Sequence, residues 1–195
     1  MRKLALVLVA LAFLGSAVPA NAGIITFEGY VDLTVFTTQY LGVNFNGATV
    51  LSKGGTLNYG SFPPHSGINV VYNPSGAMTI DFLSPVGFFS GFFTYNQPLQ
   101  VRAFDGSLNL LGSYDGLCSA NYIGSGCATG ANEYGLITAA GISRVVITGG
   151  GGNNFTLDDA EFTGSVDNTV PDAGSSLLLL GMGLVGLRAW RKRLR

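Results

Sequence analysis

Asp158 and Asp159 are the adjacent carboxylates whose spacing most invites a chemical role. In the stretch from Phe155 to Phe162, Phe155 and Leu157 share one face of an extended chain. Ala160 and Phe162 share a face with them only if the alternation slips in between, which places a bulge at the two Asp residues. Neighbouring carboxylates at a bulge can converge on a hard cation such as Ca²⁺, completed by carbonyls of a nearby strand. The plain alternative is a solvated acidic pair that keeps a strand edge from aggregating. Cys118 and Cys127 stand nine positions apart in a Gly- and Ser-rich loop, a spacing that suits a disulfide in an oxidising compartment. Neither has a basic neighbour in sequence to make it a nucleophile.

The remaining candidates point to no catalyst. His65, in Phe62-Pro-Pro-His-Ser-Gly67, is the only histidine, and no Gly-x-Ser-x-Gly elbow accompanies it. Asp105, Asp115 and Glu133 offer carboxylates for a glycosidase pair, but their turn-rich surroundings single none out as an acid. The Gly149 to Gly152 run lacks the Lys and Ser/Thr of a phosphate loop. Tyr59, Phe62, Tyr72, Tyr95, Tyr114, Tyr122 and Tyr134 lie in or beside turns, where rings can stack on pyranose faces or pack the rim of a core. One His and two Cys leave little from which to build a Cys/His zinc cluster.

The elements that must position these groups are strands. The chain has 195 residues, 47% hydrophobic, 11% charged, with 29 Gly. Period-two alternation recurs at Val31/Leu33/Val35, Ile80/Phe82, Leu99/Val101/Ala103 and Val145/Ile147. Gly87 to Phe93 is apolar on both faces, the mark of a central strand. Leu99 to Tyr114 reads as a hairpin turning at Asp105 to Asn109. Turn residues punctuate the rest: Lys53-Gly54-Gly55, Phe62-Pro63-Pro64, Asn73 to Gly76, Asp115-Gly116. No long stretch shows a 3.6-residue period. About eight strands between residues 23 and 164 predict an all-β sandwich of jelly-roll type. First and last strands of such a fold pair, which makes Glu28 the third candidate cation ligand beside Asp158 and Asp159.

Charge is segregated. Between Gly23 and Asn168 three basic residues face ten acidic ones, a balance that gives nucleic acid no footing. Arg2 and Lys3 precede an apolar run from Leu4 to Leu14 and the triplet Ala20-Asn21-Ala22, the three parts of a secretory signal in order. Residues 1–22 are thus expected to be a signal peptide cleaved after Ala22. At the other end, a linker over 165–172 holds Val170, Pro171 and Asp172. An apolar segment over 173–190 follows, and then a basic tail over 191–195. The uncharged part from Ala173 to Leu187 reaches only about 22 Å as a helix, short of the ~30 Å hydrocarbon core. It reads as a transient transmembrane stop with its basic end in the cytoplasm.

That tail resembles the tripartite C-terminal signal of PEP-CTERM proteins, in the variant written Val-Pro-Asp-Ser-Gly; here Ala173 replaces the Ser. The resemblance implies an exosortase-type transpeptidase as partner, cleavage near Pro171-Asp172, passage through the cytoplasmic membrane, and a destination at the cell surface or matrix beside exopolysaccharide. Val101 to Asp105 with Leu110 to Gly112, the opening Ile25 to Glu28, and the closing Phe155 to Phe162 are similar to lectin-like jelly rolls borne on such tails. That likeness implies carbohydrate-binding-module architecture, with polysaccharide as a partner and a structural calcium near the last strand. The function expected is a non-enzymatic, structural or adhesive one within an exopolysaccharide layer; a carbohydrate-binding module with a definable ligand is the alternative, and a secreted hydrolase ranks behind both.

Overall fold

A computed structural model describes residues 22–163, and these form an all-β fold with no helix among them. The expected signal peptide before Ala22, the sorting motif at Val170, Pro171 and Asp172, the apolar segment and the basic tail lie outside the described residues. Ten strands are joined by antiparallel pairing: β1 (Ala22–Ile25), β2 (Val35–Phe36), β3 (Val43–Asn46), β4 (Ala48–Ser52), β5 (Asn69–Tyr72), β6 (Met78–Tyr95), β7 (Gln100–Phe104), β8 (Leu110–Asp115), β9 (Glu133–Thr148) and β10 (Phe155–Thr163).

Two long strands make one hydrogen-bonded sheet into two layers. The first half of β6 pairs with β3 and with the second half of β9, which also holds β7. The second half of β6 pairs with β10 and with the first half of β9. The β6–β9 register shifts between Asp81 and Phe88, where Leu83, Ser84 and Pro85 are exposed and Gly141 on β9 takes a φ of 88°. Both strands bend there and pass from layer to layer. One layer is therefore β3, β6, β9, β7, β8; the other is β2, β4, β5, β10, β6, β9, with β1 on the far part of β10. Gly47 alone links β3 to β4 across the layers; its φ is 77°, and a Cβ there would stand 2.6 Å from the Ala77 carbonyl oxygen.

The core lies between the layers and is built largely of rings. Phe45 on β3 meets Phe36 on β2 edge-on at 5.0 Å and Phe27 at 5.9 Å. Phe82 on β6 meets Phe162 on β10 at 5.0 Å. Phe89, Phe93 and Tyr95 alternate inward along β6, as a central strand requires.

Two expected strands are shorter than their alternation suggests. Val31 and Leu33 lie in a loop, and only Val35 and Phe36 form a strand. Leu33 takes a φ of 65°, Val31, Leu33 and Val35 face solvent, and it is Phe36 that enters the core. The opening strand stops at Ile25, because Phe27 turns left-handed at φ 59°. Glu28 is thus beyond β1 rather than on it. The expected pairing of first and last strands holds, Ile25 lying opposite Ala160.

Candidate functional site

Asp158 and Asp159 stand at the bulge. The β10–β6 register breaks between Asp158 and Glu161, and Asp159 adopts a φ of 45°. Their carboxylates turn toward the loop from Lys53 to Ile68, which crosses the outer face of the β4–β5–β10 layer. The backbone N–H groups of His65 and Ser66 donate to Asp158 Oδ2 at 2.7 and 2.9 Å. Asp159 accepts from the Ser66 hydroxyl at 2.8 Å and sits 2.7 Å from His65 Nδ1. Glu28 Oε1 accepts from the N–H groups of Ile68 and Asn69, both at 2.9 Å. The three acids expected to share a cation therefore share a loop. Their oxygens are aimed at N–H and O–H donors, and among the described residues no cluster of three or more ligating side chains forms. These residues do not fit a calcium site.

The same contacts decide the role of His65. Its ring lies flat on Phe92, with centroids 3.4 Å apart. Ser66 donates to Asp159 and not to the imidazole, so no Ser–His relay is set up. The glycosidase candidates are occupied separately. Asp105 accepts from the N–H groups of Ser107 and Asn109 inside the hairpin turn, Asp115 pairs with Arg102 at 2.6 Å, and Glu133 is buried. Glu133 accepts from the hydroxyls of Tyr95 and Tyr114 and the N–H of Leu117. Burial, reinforced by that carboxylate, pushes the Tyr95 phenol up to about 12 and the Tyr114 phenol up as well, so both remain donors.

Beneath and beside the Lys53–Ile68 loop runs a groove in two adjoining lobes of about 410 and 270 Å³, which share Asn58 and Phe62. The larger lobe has Leu51 and Tyr72 of the sheet as floor, with Leu33, Leu57 and Asn153 around it. The smaller is walled by Ser61, Asn96, Gln97 and Tyr122. Asp32 pins the loop: it accepts from the N–H of Ser52 at 2.8 Å and of Thr56 at 2.9 Å. Burial raises that carboxyl, but these donors outweigh it and hold it below its ordinary 3.8. Tyr122 comes from the loop closed by Cys118 and Cys127, which are joined with Cα atoms 6.1 Å apart. Its ring lies parallel to Phe62 at 6.2 Å. Next to it, buried Asn121 accepts from the Tyr95 N–H at 2.7 Å and donates to the Phe93 carbonyl at 2.9 Å, fixing the loop to β6.

Of the seven turn-side aromatics, the fold brings Phe62, Tyr72 and Tyr122 to the groove. Tyr59 lies outside it under the Lys53 ammonium, Tyr95 and Tyr114 turn to Glu133, and Tyr134 stands exposed beside Phe92. The amides Asn58, Asn96, Gln97 and Asn153 carry no signal in the sequence beyond a position next to turn residues, and they were not among its candidates.

Comparison with known proteins finds a VPDSG-CTERM motif at residues 169–194. No curated protein matches in sequence. Among solved structures, a family 6 carbohydrate-binding module is similar over 67% of this chain and 92% of its own, at 16% identity and a TM-score of 0.35. A mutant family 29 module is similar over 78% and 99%, at 13% identity and 0.37. A further family 6 module, from Clostridium stercorarium in complex with cellobiose, gives 67% and 92%, at 14% identity and 0.34. At such scores the likeness carries no argument about a ligand.

Proposed function

We propose that this is an exported, non-enzymatic surface protein that binds a polysaccharide of its surroundings through the two-lobed groove. The observation that carries this reading is the groove's chemistry. The parallel rings of Phe62 and Tyr122, with Tyr72 on the sheet, sit among side-chain amides. Rings offer apolar faces to the C–H face of a pyranose, and amides both donate to and accept from its hydroxyls. No carboxylate lines either lobe, so the groove supplies no acid–base pair. The motif at residues 169–194 supports the rest of the reading: handling by an exosortase-type transpeptidase, transit through the cytoplasmic membrane, and a final place at the cell surface or in an exopolysaccharide matrix. The test is co-sedimentation of the purified protein with extracellular polysaccharide, wild type against Phe62→Ala/Tyr72→Ala. Wild type should sediment and the double variant should stay in solution with its Tm little changed. Equal partitioning of the two, or none by either, would remove the groove from the account.

A further inference from the structure

We infer that the groove is selective for electrically neutral glycan chains and excludes polyuronates and sulfated polymers; this rests on the glycan-binding reading above. Recognition of a carboxylate or sulfate calls for Arg or Lys, and the groove presents neither. The described residues contain three cations, each already engaged elsewhere. Lys53 Nζ lies 3.9 Å from the centre of the Tyr59 ring, Arg102 pairs with Asp115 at 2.6 Å, and Arg144 pairs with Asp81 at 2.5 Å. Against these three stand nine carboxylates between residues 22 and 163, a net charge of −6 at neutral pH. A body of that charge repels a polyanion before contact is made.

Asn96 adds discrimination at short range. It walls the smaller lobe, and its Oδ1 is buried yet accepts no hydrogen bond. A buried acceptor left in that condition gains from any ligand that brings a donor. A sugar hydroxyl is a donor, whereas an ionised carboxylate or sulfate is acceptor-only, so Asn96 disfavours every placement that sets an anionic group against that oxygen while a neutral pyranose has none to set there. A turn of the Asn96 side chain would bring Oδ1 into the lobe that Tyr122 and exposed Gln97 also wall. Stacking on Tyr122 would then hold a neutral pyranose while one of its hydroxyls donates a hydrogen bond to Asn96 Oδ1.

The experiment is affinity electrophoresis of the full chain in mild neutral detergent. The gels contain neutral glucans, mannans, galactans and xylans, or alginate, polygalacturonate and dextran sulfate, each run at low and high salt. The expected result is retardation by at least one neutral polymer, the same at both salt concentrations, and by no acidic one. Asn96→Ala and Tyr122→Ala should weaken it about tenfold, and Gln97→Ala, on the exposed rim, several-fold with folding untouched. Retardation by acidic polymers that salt abolishes, with the variants unaffected, would overturn the neutral selectivity while leaving a glycan-binding protein. Retardation by nothing in the panel would overturn both.

Discussion

Asp158 holds its charge in a buried place because the loop above it needs an acceptor. Burial, and then the neighbouring Asp159 carboxylate, push Asp158 up to about 6, against the N–H groups of Ser66, Asp159 and His65 that favour its anion. An unfolded carboxyl near 3.8 releases its proton sooner, so between these values the native state binds more protons. The contribution is complete below 3.8 and is lost as pH rises through about 6, up to about 3 kcal/mol. Tm is therefore expected to fall between about pH 4 and pH 6 and to level off above, and Asp158→Asn should flatten that slope. Comparing the two proteins by calorimetry isolates this group from His65 and Asp159 beside it; identical slopes would refute the assignment. Metal removal belongs to the same residues. With the oxygens of Glu28, Asp158 and Asp159 aimed at N–H and O–H donors, chelator should leave Tm unchanged, and a chelator-sensitive Tm restored by Ca²⁺ would reverse that conclusion.

The loop from Gly116 to Asn132 has no strand of its own, so its shape depends on a few fastenings. They are the Cys118–Cys127 bond, the Asn121 side chain on β6, and the Glu133 carboxylate under Leu117 and Thr129. Closing a loop this short contributes about 2–3 kcal/mol by chain entropy. Cys118→Ser/Cys127→Ser is expected to lower the unfolding free energy by that much, and Tm with it, while the core stays folded, and to weaken glycan binding about tenfold as the Tyr122 wall becomes mobile. Thermal melts and titration with the bound polysaccharide check the two effects separately; full affinity in the double variant would show that Tyr122 is held without the bridge. Local features of this kind were legible in the sequence. The Cys spacing, the hairpin at Asp105, the apolar run of β6 and the slip at Asp158 each depend on near neighbours. The alternation at Val31 to Val35 misled, because Asp32 reaches across to Ser52 and Thr56 and bends that segment into a loop. The acids were noticed and their partners were not: Asp158 binds residues 92 and 93 positions away, a distance no local pattern encodes. The groove was illegible for the same reason, since its two lobes draw on loops and strands scattered from Leu33 to Thr156.

At the scale of the whole chain, charge is divided by place. The body from residue 22 to 163 is net negative, while seven of the ten basic residues lie before Leu4 or after Leu187. A negative body is free to cross outward, whereas a cluster of Arg and Lys resists leaving the cytoplasm. On the export reading proposed above, the 15 uncharged residues from Ala173 to Leu187 would halt that passage without anchoring it durably, since as a helix they would span about 22 Å. The VPDSG-CTERM match covers this stretch together with the basic end up to Leu194. Truncation after Asn168 leaves every described strand intact and deletes the match. The full chain is expected in the surface or matrix fraction, shortened near Pro171-Asp172, and the truncated chain in the soluble exported fraction at full length. Replacing the five basic residues after Leu187 with Gln separates retention from recognition: a chain that loses its hold on the cytoplasmic side should escape uncut. Cell fractionation with mass mapping of both termini reads all three proteins. If full-length and truncated chains reach one compartment, each uncut at its C-terminus, the tail directs nothing, and the groove must find its polysaccharide by diffusion alone.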